Sequence, residues 1–217
     1  MKKLLTFALA AAMALSLAAC GGDSKTPAGS NNNNTPASTS GSQTGGDASG
    51  LPEIEAGSCA TPAVLTSVGQ SADVEIVGTL CSKAGIEVTL DNDIKADELP
   101  ADCKTLILAV GGSSKGLGAA GIDADQELAR TEELLAKAKE QGVTVVALHT
   151  GGSARRGTLS DSFITPSFTS ADIAVVVSEG DSDGLMSGIL ADNSTPSAYV
   201  EQVADCIATL QTLFGIA

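Results

Sequence analysis

A glycine-rich segment in the second half of the chain concentrates residue types that bind anions or transfer protons. Residues 144–161 read TVVALHTGGSARRGTLSD and include His149, the only histidine of the protein, and the adjacent pair Arg155 and Arg156. A guanidinium group binds carboxylate or phosphate through two parallel hydrogen bonds, and glycines leave backbone N–H groups open to an anion. His149 is a candidate acid or base, because its ordinary pKa is close to neutrality. The segment predicts an anion site, with catalysis by His149 as a second interpretation.

Three other segments follow apolar runs and are equally rich in glycine, hydroxyl groups or charge: residues 69–73 (GQSAD), 111–121 (GGSSKGLGAAG) and 179–184 (EGDSDG). In open parallel sheets, ligands bind outside the carboxyl ends of the strands, so these loops are expected to converge with the first. A plainer alternative is that the arginines are surface charges that pair with Asp161 or Asp181. The candidate ligand-binding residues are Gln70, Ser71, Gly112, Ser113, Ser114, Lys115, His149, Gly151, Gly152, Arg155 and Arg156.

The sequence predicts neither a cofactor nor a metal ion. Residues 116–121 match G-x-G-x-x-G, but they are separated from the preceding apolar run, and that motif joins a strand directly to a helix in dinucleotide-binding folds. Residues 113–121 are instead interpreted as a flexible loop that closes over a ligand. No second histidine is present for a metal pair, and the acids of residues 179–184 lack the bidentate acid that a calcium loop has at its twelfth position, where this chain has Leu190.

Charge and composition exclude one class of partner. The formal net charge is -14 and aromatic residues are 2% of the chain, with no tryptophan. Nucleic-acid binding needs basic surface for the phosphates, and aromatic side chains on which bases stack. We therefore expect no nucleic-acid partner.

Apolar runs alternate with segments of helical period, which is typical of a sheet covered by helices on both faces. The sequence predicts a three-layer α/β/α fold with a mainly parallel sheet, in flavodoxin-like or Rossmann-like order, and 2-1-3-4-5 is the leading order. Two segments fit this pattern poorly: residues 97–102 are too short for a second helix, and Pro166 is expected to interrupt the helix after the fourth strand. The predicted strands are residues 63–68, 86–90, 105–110, 144–148, 173–177 and 197–200.

Four cysteines follow Cys20, an even number that permits disulfides in an exported protein. Cys59 and Cys103 precede neighbouring strands of the predicted sheet and are the favoured pair. Cys81 and Cys206 lie on the apolar stripes of the first and last helices, and they are either a second pair or buried thiols.

The first 50 residues predict export and anchoring rather than a folded domain. Residues 1–20 have basic Lys2 and Lys3, an apolar stretch shorter than a membrane span, and small residues before Cys20. Leu17 to Cys20 (LAAC) resembles the lipobox of bacterial lipoproteins, in which the cysteine is lipidated. Residues 21–50 carry no apolar side chain larger than alanine and predict a flexible tether. Residues 51–217 then form a single α/β domain.

Three blocks of the sequence resemble an uncharacterised family of bacterial lipoproteins with a domain of unknown function. They are residues 66–73 (TSVGQSAD), 104–123 (KTLILAVGGSSKGLGAAGID) and 149–161 (HTGGSARRGTLSD). The resemblance implies the same fold, export and a site at the loop end of the sheet. It implies no reaction.

Three functions are compatible with these features. The favoured one is an extracytoplasmic module, lipid-anchored to a bacterial membrane, that binds a small anionic solute and serves a membrane transporter. The second is an enzyme on an anionic substrate, with His149 as acid or base and Lys115, Arg155 and Arg156 as anion ligands. The third is an interaction scaffold for a membrane protein. Absence of a recognisable catalytic constellation favours the first.

Overall fold

The structure, a computed structural model that describes residues 50–216, has a six-stranded sheet at its centre. Its strands are β1 (Ala63–Val68), β2 (Val88–Leu90), β3 (Thr105–Val110), β4 (Thr144–His149), β5 (Ile173–Val177) and β6 (Ser197–Val200). They are all parallel and follow the order β2-β1-β3-β4-β5-β6. The predicted order is confirmed, and β6 extends the sheet beyond β5.

Helices cover both faces of the sheet, because the central strands are apolar on both sides. Every residue of β1, β3 and β5 is buried. The helices α1 (Asp73–Ala84) and α6 (Cys206–Phe214) pack together on one face. The other face is covered by α2 (Ser114–Ala120), α3 (Ala124–Gln141), α4 (Thr158–Thr169) and α5 (Leu185–Asn193). The predicted three-layer α/β fold is confirmed.

The prediction that residues 113–121 form a flexible loop that closes over a ligand is wrong, since this segment forms the short helix α2 and its two caps. The Ser113 side chain accepts a hydrogen bond from the backbone N–H of Gly116 at 3.0 Å, which caps the helix. Leu117 is buried in the core beside α3 and α4. Capping and burial outweigh the low helix propensity of the glycines in the segment.

Pro166 does not interrupt α4, which continues through it to Thr169. Proline removes one helical hydrogen bond. Phe163, Ile164 and Phe168 are fully buried against the sheet, and their burial holds the last turn in place. The prediction that residues 97–102 make no good helix is consistent with the structure, where only a short 3-10 turn, Ala96–Glu98, follows β2.

The second strand is shorter than predicted, because its first residues complete the end of α1. Gly85 adopts a left-handed conformation, and the N–H of Ile86 donates to the carbonyl of Cys81 at 2.9 Å. This arrangement ends the helix and delays pairing with β1 until Val88.

All four cysteines of the described residues are buried free thiols. Cys59, Cys81 and Cys206 belong to the core beneath α1 and α6, whereas Cys103 belongs to the core on the opposite face. Burial raises the pKa of the Cys59, Cys81 and Cys206 thiols to about 11, so they are protonated near neutral pH. The Cys59–Cys103 pairing stays a prediction.

The predicted signal segment (residues 1–20), its lipidation residue Cys20 and nearly all of the predicted tether lie outside the described residues. Within residues 50–216, no helix has the length and apolar character needed to cross a membrane.

Candidate functional site

The carboxyl ends of β1, β3 and β4 bring three of the glycine-rich segments together. After β1 the chain continues to β2 on one side of the sheet, and after β3 it continues to β4 on the other side. The switch point of the sheet therefore lies between β1 and β3. At such a point the connecting segments diverge and leave a crevice. Gly69 directly follows β1, and Gly111 directly follows β3. The two turns are joined by backbone hydrogen bonds, because the Gly111 N–H donates to the carbonyl of Val68 and the Ser113 N–H donates to the carbonyl of Gly69.

Asp73, the first residue of α1, lies at the centre of this edge. Its Oδ2 accepts a hydrogen bond from Arg155 Nε at 2.9 Å, and only 6% of its side chain is exposed. Glycines on both sides leave room for the carboxylate. A β-carbon on Gly111 would lie 3.0 Å from Asp73 Oδ2, and one on Gly151 would lie 2.8 Å from it. Ser71, Asp73, Gly111, Gly151 and Arg155 are called here the Asp73–Arg155 site.

Arg155 is the cation of this site that retains free hydrogen-bonding capacity. Its side chain is 32% exposed, and Nε is its only side-chain nitrogen that donates a hydrogen bond to the described residues. The two terminal nitrogens, Nη1 and Nη2, are therefore available to a bound group. Paired guanidinium nitrogens match the two oxygens of a carboxylate or two oxygens of a phosphate.

Arg156, although adjacent, has a structural role. Its Nε donates to Asp161 at 2.8 Å, and Nη1 and Nη2 donate to the two oxygens of Asp183 at 2.8 and 2.9 Å. Nη1 also donates to the carbonyl of Gly180, and only 13% of the side chain is exposed. The bidentate contact holds the pKa of Asp183 at about 2. The side chain thus links the loops after β4 and β5. For Arg156 the structure shows the plainer arrangement considered above, in which the arginine pairs with Asp161.

His149 is fully buried at the end of β4. Its Nε2 lies 3.1 Å from the carbonyl oxygen of Arg155, which only accepts hydrogen bonds, so the proton of the neutral ring is on Nε2. Its Nδ1 is buried without a partner among the described residues, and a β-carbon on Gly180 would lie 2.6 Å from it. The ring supports the backbone of Arg155, and no part of it is accessible from the surface.

The state of His149 predicts an effect of pH on stability. Burial lowers the pKa of His149 below its ordinary value of 6.5, helped by the Arg156 guanidinium and opposed by the Arg155 carbonyl, Asp73 and Asp181. The unfolded chain therefore binds a proton that the folded chain rejects, and stability falls as the pH drops below about 6.5. Urea unfolding from about pH 8 to about pH 5 is expected to show this loss, and His149→Gln to reduce it. An unchanged pH dependence in this variant would contradict it, since no other histidine exists.

A buried ion pair on α3 fixes the turn that carries Ser71 and Asp73. Arg130 donates two parallel hydrogen bonds to Glu127, both at 2.8 Å, and Glu127 is fully buried. Glu127 Oε1 also accepts from the Gly69 N–H at 2.9 Å and from Gln70 Nε2 at 3.2 Å. Arg130 in turn donates to the carbonyls of Ser67 and Ile94. The pair joins α3 to the end of β1.

The other predicted ligand residues are divided between support and exposed surface. Gln70 has a positive φ of 55°, and its backbone pairs with that of Gly112 in an isolated β-bridge. Gly112 has no room for a side chain, because Leu159 and Ser160 of α4 lie too close to it. Ser113 caps α2. Ser114 and Lys115 lie on α2 and make no side-chain hydrogen bond to the Asp73–Arg155 site. Gly152 lies against Glu179. Arg155 is thus paired with one carboxylate, Asp73, and Arg156 with two, Asp161 and Asp183, so the predicted positive loop carries no net positive charge.

Four residues of this edge were not predicted from the sequence: Asp73, Glu127, Arg130 and Thr150. The sequence does hold one indication that Glu127 is buried, which is its helical spacing from other residues of α3. The residues at that spacing are all buried: Thr131, Leu134, Leu135 and Ala138. Asp73 resembles any acid in the first turn of a helix. Thr150 follows β4, is buried, and its hydroxyl has no partner among the described residues.

Two surface depressions lie elsewhere on the molecule. One, of about 1010 Å³, is at the amino ends of β4 and β5, and the other, of about 1780 Å³, lies beside β2 and α1. Neither is lined by a residue of the Asp73–Arg155 site, and within residues 50–216 neither combines a free cation with unpartnered buried polar groups. The chemistry of the side chains therefore favours the sheet edge over either depression.

Residues 60–214 match the model of a protein family that is described as a domain of unknown function, DUF6305. No curated protein and no solved structure matches the chain.

Proposed function

Because the chain belongs to the DUF6305 family, whose function is unknown, we propose a function from its own side chains: a binding module for a small anionic solute. The observation that carries the proposal is the pair of unoccupied Arg155 nitrogens at the switch point, beside Gly111 and Gly151. A ligand that accepts both hydrogen bonds gains charge-assisted contacts in a setting where the arginine is already oriented by Asp73 and by the His149 contact to its carbonyl.

Of the three cations predicted to bind the ligand, Lys115, Arg155 and Arg156, the proposal retains only Arg155. Arg156 has its hydrogen bonds occupied by Asp161, Asp183 and Gly180. Lys115 is exposed and its side chain makes no hydrogen bond with the described residues. Catalysis by His149 receives no support from this geometry, because a general acid or base must reach the substrate and the ring is enclosed.

The location is proposed from the sequence. The basic, apolar and LAAC segments of residues 1–20 support a module that is lipid-anchored through Cys20 outside the cytoplasm. A solute captured there fits delivery to a transporter in the same membrane, which would be the protein partner.

The test is ligand-dependent thermal unfolding of the purified protein with acetate, succinate, glutamate, inorganic phosphate and methanesulfonate. A ligand at about 100 times its dissociation constant adds about 2.7 kcal/mol and raises the unfolding temperature by several degrees. We expect such a rise with at least one of these anions and its loss in Arg155→Gln.

Lys115→Gln is the matched control, since it removes one positive charge from the same edge without touching the Asp73–Arg155 site. It should bind as the unchanged protein does. Equal loss in both variants would show only nonspecific attraction of anions, and a shift that survives Arg155→Gln would place the site elsewhere. Absence of any shift in a cooperatively unfolding protein would reject solute binding of this class.

A further inference from the structure

Asp73, the acidic partner of Arg155, has one carboxylate oxygen without a hydrogen bond to the described residues. Asp73 Oδ2 accepts from Arg155 Nε, whereas Oδ1 accepts no hydrogen bond from any residue between 50 and 216. Only 6% of the side chain is exposed. Since no donor of the described residues engages Oδ1, this oxygen can accept a hydrogen bond from solvent or from a donor on a ligand.

A second unpartnered polar group lies next to the same residues. Thr150 is 3% exposed, and its hydroxyl oxygen is buried without a hydrogen bond to the described residues. It directly precedes Gly151, whose α-carbon adjoins the Asp73 carboxylate. A carboxylate with one unused oxygen and a cation with two unused nitrogens are therefore in direct contact, and the enclosed Thr150 hydroxyl belongs to the residue that precedes Gly151.

The balance of charge at this region selects among anions. Asp73 neutralises Arg155, so a ligand that carries only negative charge is attracted by one group and repelled by its neighbour. A dianion such as phosphate suffers most from this repulsion. A ligand with a carboxylate and an ammonium group on adjacent atoms meets a complementary charge on each side.

We propose that the Asp73–Arg155 site binds a free α-amino acid, with the ligand carboxylate on Arg155 Nη1 and Nη2 and its ammonium group on Asp73 Oδ1. This inference rests on the proposed function and adds the ligand class. The separation fits, because the two protein groups are in direct contact and the two ligand groups are joined through a single carbon. The Ser71 hydroxyl accepts a hydrogen bond from the Asp73 N–H at 3.3 Å and so helps to position the carboxylate.

The ligand side of the test uses the unaltered protein, so it does not depend on whether a variant folds. The proteinogenic L-amino acids are screened by thermal unfolding, and for each one that binds, calorimetric titration compares it with its des-amino acid and its amide. L-Alanine, propionate and L-alaninamide are such a set. We expect each analogue to bind at least tenfold more weakly than the amino acid.

The protein side uses Asp73→Asn, which keeps the shape of the side chain and removes its charge. We expect this variant to lose the preference, so that amino acid and des-amino acid bind alike. Asp93→Asn removes an exposed carboxylate from the segment after β2, at the same end of the sheet, and should keep the preference, because the Asp93 side chain makes no hydrogen bond with the described residues.

The two proposals fail in different ways. If a des-amino acid binds as well as its amino acid, and Arg155→Gln abolishes both, the anion site stands and the amino-acid assignment is wrong. If phosphate or methanesulfonate binds and no amino acid does, the assignment is also wrong. If nothing in either panel binds, the proposed function fails together with it.

Discussion

Glu127→Ala is expected to be among the most damaging single substitutions in the domain, with a loss of about 3–5 kcal/mol in the free energy of unfolding. The substitution leaves the Arg130 guanidinium, whose side chain is 10% exposed, without its carboxylate. It also removes the acceptor for the Gly69 N–H. An uncompensated buried charge costs more than the pair contributes, and urea unfolding at constant pH measures the difference.

Glu133→Ala is the matched control on the same helix. Glu133 is exposed and makes no hydrogen bond or ion pair with the described residues, so its replacement should change stability by less than about 0.5 kcal/mol. Similar losses in both variants would mean that the Glu127–Arg130 pair contributes nothing beyond helix propensity. Glu127→Gln is expected to fall between them, since its amide keeps one acceptor but no charge.

Gly116→Ala is expected to destabilise the protein by about 1–3 kcal/mol, the usual effect of forcing an extra carbon into a packed contact. A β-carbon at this position would overlap the backbone carbonyl of Gln70. Gln70 has little freedom to move away, because its φ is 55° and its backbone bridges to Gly112. The clash is therefore with rigid backbone.

Gly118→Ala, two residues along the same helix, has the opposite expectation. A β-carbon on Gly118 would have no neighbouring atom within 4 Å, so alanine adds helix propensity and should stabilise by about 0.5–1 kcal/mol. Thermal unfolding of the two variants side by side tests whether α2 is a helix docked on Gln70. If residues 113–121 were a free loop, neither alanine would shift the midpoint in the expected direction.

The fold could be predicted largely from local sequence. Continuous apolar runs at β1, β3 and β5, separated by helical periods, indicate a parallel sheet covered on both faces, and right-handed crossovers then leave few strand orders. The same reasoning placed the glycine-rich segments at one edge of the sheet. It was less successful for α2 and for Pro166, where burial of Leu117 and Phe168 outweighs the local preference against helix.

The site could be predicted only in outline. Position along the chain indicates which residues share the sheet edge, and Arg155 lies at that edge in the structure. It could not distinguish Arg155 from Arg156, because their local sequences are alike. The difference arises from carboxylates distant in sequence: Asp183 occupies both terminal nitrogens of Arg156, whereas Asp73 engages only Nε of Arg155.

The sequence by itself determined the alternation of strands and helices, the sheet order and the edge at which function is expected. These features depend on hydrophobic period and chain connectivity, which are local. Tertiary structure decided which charges are used internally and which remain free. Hydrogen-bond pairing between Arg155 and Asp73 joins residues 82 positions apart, and it depends on distances of a few tenths of an ångström that no local pattern encodes.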